Sequence, residues 1–115
     1  MKHFRYYDKQ EILSYTRIRR FESKTGEFVQ HIKNHDALEK ALEESSAKYV
    51  LFGIPEDIGV RANGGIGGAD TAWKSFLVSF LNLQSNDFFS GEQVLLLGHF
   101  DFADMKLLIE QNAHD

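Results

Sequence analysis

KYVLFGIPEDIGVRANGGIGG, residues 48–68, joins a short apolar run to a loop that holds most of the chain's glycines, six of nine falling in 53–68. The run 48–54 is rich in β-formers and polar only at its start, which predicts a core strand ended by Pro55. A long glycine-rich loop at the end of a buried strand is where an α/β protein keeps its working surface. Beyond the loop, Asp70 can cap a helix in which Trp73, Phe76, Leu77, Phe80 and Leu81 recur at spacings of three and four. Lys74, Ser75, Ser79 and Asn82 take the other side. That polar side carries a single basic residue, so the helix is read as packing on a sheet rather than lying on a membrane.

A polar turn region follows at 85–91, interrupted by Phe88 and Phe89, and then a second core strand, QVLLLG, at 93–98. Asp101 or Asp104 opens a last predicted helix through 111, with Phe102, Met105, Leu108 and Ile109 as its apolar face. Strand, helix and strand with a crossover of this length predict a βαβ unit, parallel and right-handed. The C-terminal ends of both strands then open on one rim, bringing 55–69 near 99–101. Two strands make a small sheet with an open edge, which further strands or a partner normally complete. The fold class expected is therefore α/β with a parallel βαβ core and an incomplete sheet.

Upstream, Asp36 followed by Glu39 is a capping-box pattern, and Leu38, Ala41, Leu42 and Ser45 form one stripe, predicting a helix over 36–46. Residues 10–20 fit neither period, and 21–29 has a turn at Lys24, Thr25 and Gly26 between two short extended pieces. The chain divides into an N-terminal arm or irregular region at 1–35 and an α/β portion at 36–115. Residues 1–24 hold seven of the thirteen Lys and Arg against three acids, which leaves −8 for the remainder of a chain whose net charge is −4. Arg17, Arg19 and Arg20 beside Tyr6, Tyr7 and Tyr15 have the residue types of a nucleic-acid stripe. The preferred reading is an arm whose charge meets the acidic body of its own protein or of a neighbouring subunit, with no nucleic-acid partner.

The 115 residues, 43% hydrophobic with ten Phe, suffice for one domain with a modest core. The absence of cysteine excludes disulfides, a thiolate nucleophile and Cys-based metal sites. With no apolar leader at the N-terminus and no run long enough to span a bilayer, a cytoplasmic protein without a membrane partner is the expectation.

The chemistry at the rim is limited. Residues 64–68, GGIGG, lack the GxGxxG spacing and a following Lys-Ser or Lys-Thr, and Asp70 sits where a phosphate would dock, which argues against a nucleotide site. Glu56, Asp57, Arg61 and Asn63 are the polar residues of the loop. A solvated, self-bonded loop and a wall of a substrate pocket are both consistent with them, and Arg61, whose fork matches a carboxylate, is the residue best suited to meet an anion. His99 with Asp101 and Asp104 is the sole concentration of possible metal ligands. Without a second histidine, and with an aspartate wanted as a helix cap, these residues are read as structural. Trp73 and Phe80 are read as core. No catalytic residue and no metal ligand is assigned.

From Tyr49 to Phe102 the chain resembles the N-terminal portion of the ureohydrolase superfamily, the arginases, agmatinases and formimidoylglutamases, and most the formimidoylglutamase-like branch of Bacteroidetes-type bacteria. The resemblance rests on G-x-P-x-D-x-G-V-R-x-N-G-G at Gly53, Pro55, Asp57, Gly59, Val60, Arg61, Asn63, Gly64 and Gly65. It implies a three-layer αβα, arginase-like fold of which this chain is part. It also implies a parent enzyme whose two manganese ions activate a hydroxide against the carbon of a linear amidine, and substrate-side roles for Asp57, Arg61 and Asn63. The family's GGxH, DxHxD and DxD ligand motifs do not occur here. The chain by itself is thus expected to be a metal-free, inactive N-terminal fragment whose main partner is the remainder of its own polypeptide, in a homo-oligomer. Many members have Arg where Ile66 stands and a Gly-Pro after it, where this chain has 69–73, ADTAW, so the substrate stays open among formimidoylglutamate, arginine, agmatine and other amidines. The alternative from the residues alone is a self-standing small α/β protein that binds a partner or pairs through its open edge.

Overall fold

The computed structural model describes residues 3–32, 38–55 and 69–101. It shows a mixed α/β fold with a small, incomplete sheet and a few helices. The strands are β1 (Phe4–Tyr6), β2 (Tyr49–Gly53) and β3 (Val94–Phe100). The α-helices are α1 (Lys9–Ser14), α2 (Leu38–Glu44) and α3 (Ala69–Leu81). β2 and β3 are parallel with α3 between them in sequence, as the apolar runs and the helical stripe predict, but β2, expected as a core strand, stands at the end of the described sheet with Tyr49, Val50 and Phe52 exposed and Gly53 its one buried residue. The expected last helix beyond Asp101, with Asp104, and the Asp36 cap lie outside the described residues.

The sheet departs from the sequence expectation on its other side. β1 pairs antiparallel with β3, giving the order β1-β3-β2 and a mixed sheet in place of two parallel strands. Gln30 extends that edge: its N–H donates to Val94 O at 2.9 Å and its carbonyl accepts from Leu96 N at 2.9 Å. β3 is thereby bonded along both edges, and Val94, Leu95, Leu96 and Leu97 are all buried, which is why a continuous apolar run suits it.

Alternation along β3 divides the core. Val94 and Leu96 meet Tyr7, Ile12, Val29, Leu77 and Leu81 on one face. Leu95 and Leu97 meet Ile32 on the other, with Leu38 and Ala41 of α2 packed against them. Residues 3–32, read from the sequence as an arm or irregular region, thus supply both core layers. Asp8 caps α1 by accepting from Glu11 N at 2.8 Å. Thr25 is fully buried, and its N–H and hydroxyl both donate to Leu83 O, at 2.7 and 2.8 Å, so its polar atoms carry no burial penalty.

A bulge sits near the end of β3. Leu51 pairs with Leu96 but Phe52 pairs with Gly98, so Leu97 and Gly98 together oppose one residue. Gly98 has φ +146°, and a Cβ there would lie 1.9 Å from Arg5 O, which reserves the position for glycine. The extra residue reverses the alternation beyond it. His99 now faces Tyr7, on the side where its cross-strand partner Gly53 meets Trp73. Phe100 joins Phe4 and Phe52 on the opposite face.

On α3, Leu77 and Leu81 are buried and Trp73 and Phe80 are half-buried against them, while Phe76 stacks on both aromatics and stays 48% exposed. Among the described residues no helix is long and apolar enough to cross a membrane.

Candidate functional site

At the ends of the parallel strands a hydrogen-bonded network links Tyr7, Trp73 and His99 beside the close of β2. Gly53 closes β2 with the Trp73 indole laid against it, near enough that a Cβ would fall 2.3 Å from the ring. Trp73 Nε1 donates to the Tyr7 hydroxyl at 2.9 Å, and that hydroxyl lies 2.5 Å from His99 Nδ1. The bulge at Gly98 brings His99 to this face, and β1 delivers Tyr7, whose N–H donates to Leu97 O at 3.0 Å.

An indole N–H only donates, so the Tyr7 oxygen accepts from Trp73. Burial pushes the Tyr7 pKa up to about 12, against the lowering effect of the Trp73 bond, so the phenol keeps its proton at any ordinary pH. The Tyr7 hydroxyl and His99 Nδ1 thus share one hydrogen bond. Burial, and then the charge of Arg5, hold the His99 pKa below its ordinary 6.5, with Asp101 and Glu11 acting in the other direction. Arg5 pairs with Glu11, whose carboxylate also accepts from the Tyr15 hydroxyl at 3.2 Å. Burial, followed by Glu11, raises the Tyr15 pKa.

The arrangement holds the His99 imidazole against Tyr7 and biases it toward its neutral form. Among the described residues no group of three or more His, Asp or Glu stands together to hold an ion, so the residues seen do not fit a manganese centre, and Asp104 lies outside them. Asp57, Arg61 and Asn63, the substrate-side residues expected from sequence, also lie outside the described residues, as does Glu56. The structure places only the start of their loop, which leaves β2 beside Trp73 and His99. In the sequence Tyr7 stands with the basic N-terminal stretch and Trp73 on the apolar stripe of α3, and no spacing signals the bond between them.

The sign of the pH response follows from His99. Its folded pKa lies below its unfolded one, so its contribution to stability is complete above pH 6.5 and is lost as the pH falls through the folded value. Urea midpoints at pH 7.5 and pH 5.5 are expected to drop further for the natural chain than for His99→Asn, which keeps an acceptor but cannot titrate. Equal drops would remove His99 as the cause.

Comparison with protein-family models, with curated proteins and with solved structures finds no match for this chain.

Proposed function

We propose that this chain forms the N-terminal part of an arginase-like, three-layer αβα domain of ureohydrolase type, whose activity is hydrolysis of a C–N bond in a linear amidine, and that it is inactive alone. The observation that carries the reading is the motif G-x-P-x-D-x-G-V-R-x-N-G-G beginning on Gly53, the last residue of a parallel strand that α3 and β3 follow. A loop so placed leaves the sheet at the edge where open α/β sheets bind ligands, in keeping with Asp57, Arg61 and Asn63 facing substrate. The described residues do not themselves provide the family's metal site, so no step of the chemistry is assigned to them. The manganese pair and the remaining strands belong to the rest of the polypeptide in this reading.

Purified chain with manganese and arginine, agmatine or formimidoylglutamate is expected to release no urea, ammonia or formamide. Metal-stimulated release would overturn the claim of inactivity. The coding frame is expected to run past Asp115 into GGxH, DxHxD and DxD motifs. A stop codon directly after Asp115 would overturn the parentage.

A second reading is favoured by one feature. Among the described residues the outer edge of β2 is unpaired, and Tyr49, Val50, Phe52 and Ile54 are exposed along it. An apolar, uncharged edge of this kind pairs readily with another strand, and a second copy of the chain would meet it as a homodimer. Sedimentation as a monomer at all concentrations would remove this reading.

A further inference from the structure

A basic concavity lies away from the strand ends, at the C-terminal end of α3. It measures about 360 Å³ and is lined by Arg17, Arg19, Lys24, Val78, Ser79 and Asn82. Its frame is built from side-chain bonds to the backbone. Asn82 Oδ1 accepts from Arg17 N at 2.7 Å, while Asn82 Nδ2 donates to Tyr15 O at 2.9 Å and to Val78 O at 2.7 Å. Thr16, buried between them in sequence, donates to Ile12 O at 2.9 Å. The stretch carrying Arg17 is therefore clamped to the helix before anything binds, which lowers the ordering cost of binding there.

Cations at a helix C-terminus have an ordinary explanation, because the exposed carbonyls carry about half a negative charge. Lys24 answers that need here: α3 has no basic residue in its last turn, and Lys24 Nζ lies 3.5 Å from Asn82 O. Its charge is also met by Glu22 at 3.1 Å, among the described residues the one carboxylate paired with a residue of this wall. Arg20 turns aside onto the Phe21 ring, 4.9 Å from its centroid. Arg17 and Arg19 are exposed, and among the described residues neither forms an ion pair. The helix end and Glu22 leave these two guanidinium charges unanswered.

We propose that this concavity binds the phosphate group of a small phosphorylated ligand. Two guanidinium forks and the Ser79 hydroxyl suit a tetrahedral anion with several acceptor oxygens. The volume is at the small end for ligand sites, and Val78 is the only apolar residue of the lining, which fits a compact polar molecule.

Isothermal titration of the full chain with inorganic phosphate, and separately with a nucleoside monophosphate, at constant ionic strength in chloride tests the site. Saturable binding is expected, weakened at least about tenfold in Arg17→Gln/Arg19→Gln, whose side chains make no fold-supporting bond. Arg17→Lys/Arg19→Lys keeps the charge but loses the forks and is expected to fall between. The melting temperature without phosphate should be the same in all three proteins. Tighter binding of the monophosphate than of free phosphate would identify the rest of the ligand as a contributor, and equal binding would assign the site to phosphate itself. Heat no greater than that of chloride dilution, or undiminished binding in the glutamine pair, would overturn the proposal. So would binding of a single-stranded oligonucleotide far tighter than of phosphate, since that assigns the surface to nucleic acid.

Discussion

Replacing Gly98 with alanine is expected to cost about 3 kcal/mol of folding stability, from a φ that side chains rarely adopt together with an overpacked contact. The φ of +146° is open to glycine, and the new Cβ would meet a backbone atom, Arg5 O, at 1.9 Å. A flexible side chain could swing away, whereas a carbonyl held in a strand ladder cannot, so β1 must separate from β3 or the bulge must rearrange. Either route also carries His99 away from Tyr7. Urea unfolding read by Trp73 fluorescence reports both effects, because the single tryptophan donates to the Tyr7 hydroxyl. A loss below about 1 kcal/mol would mean that the bulge is not held as described.

Leu96→Ala should be comparably damaging, about 3 kcal/mol and within the range for a fully buried leucine. Leu96 has no exposed surface and stands in the middle of the central strand, against Tyr7, Ile12, Leu77 and Leu81. Strands bonded on both sides and helices packed above leave it little freedom to close the cavity. Phe88→Ala provides the contrast. Phe88 is 94% exposed despite its size, and its loss should change the urea midpoint little. A Leu96 variant as stable as the Phe88 variant would contradict the core assignment.

The parts of the fold that could be read in the sequence are those whose pattern is longer than the noise. Residues 48–54 and 93–98 are runs of β-formers, and the stripe ending in Leu77 and Leu81 covers several turns. β1 could not be read, since three residues show barely one alternation and its stability comes from pairing with β3. α1 left a smaller trace, Asp8 followed by Glu11, which is the start signal of a helix only six residues long. The site was hidden for a geometric reason. Plain alternation along VLLLGHF places His99 with Leu95 and Leu97, and the bulge moves it to the other face. The visible clue was Gly98, a lone glycine inside an apolar strand, which marks a bulge or a close backbone approach.

The pairing of Phe4 with Phe100 has a consequence for how the protein is made. β1 has its partner far downstream, in β3, so it must wait unpaired until β3 has emerged. Closing so long a loop is slow, and a nascent chain stopped before β3 holds β1 and β2 with nothing between them. The sheet therefore closes only once β3 has been made, and Tyr7, Ile12 and their neighbours stay exposed to chaperones and proteases until then.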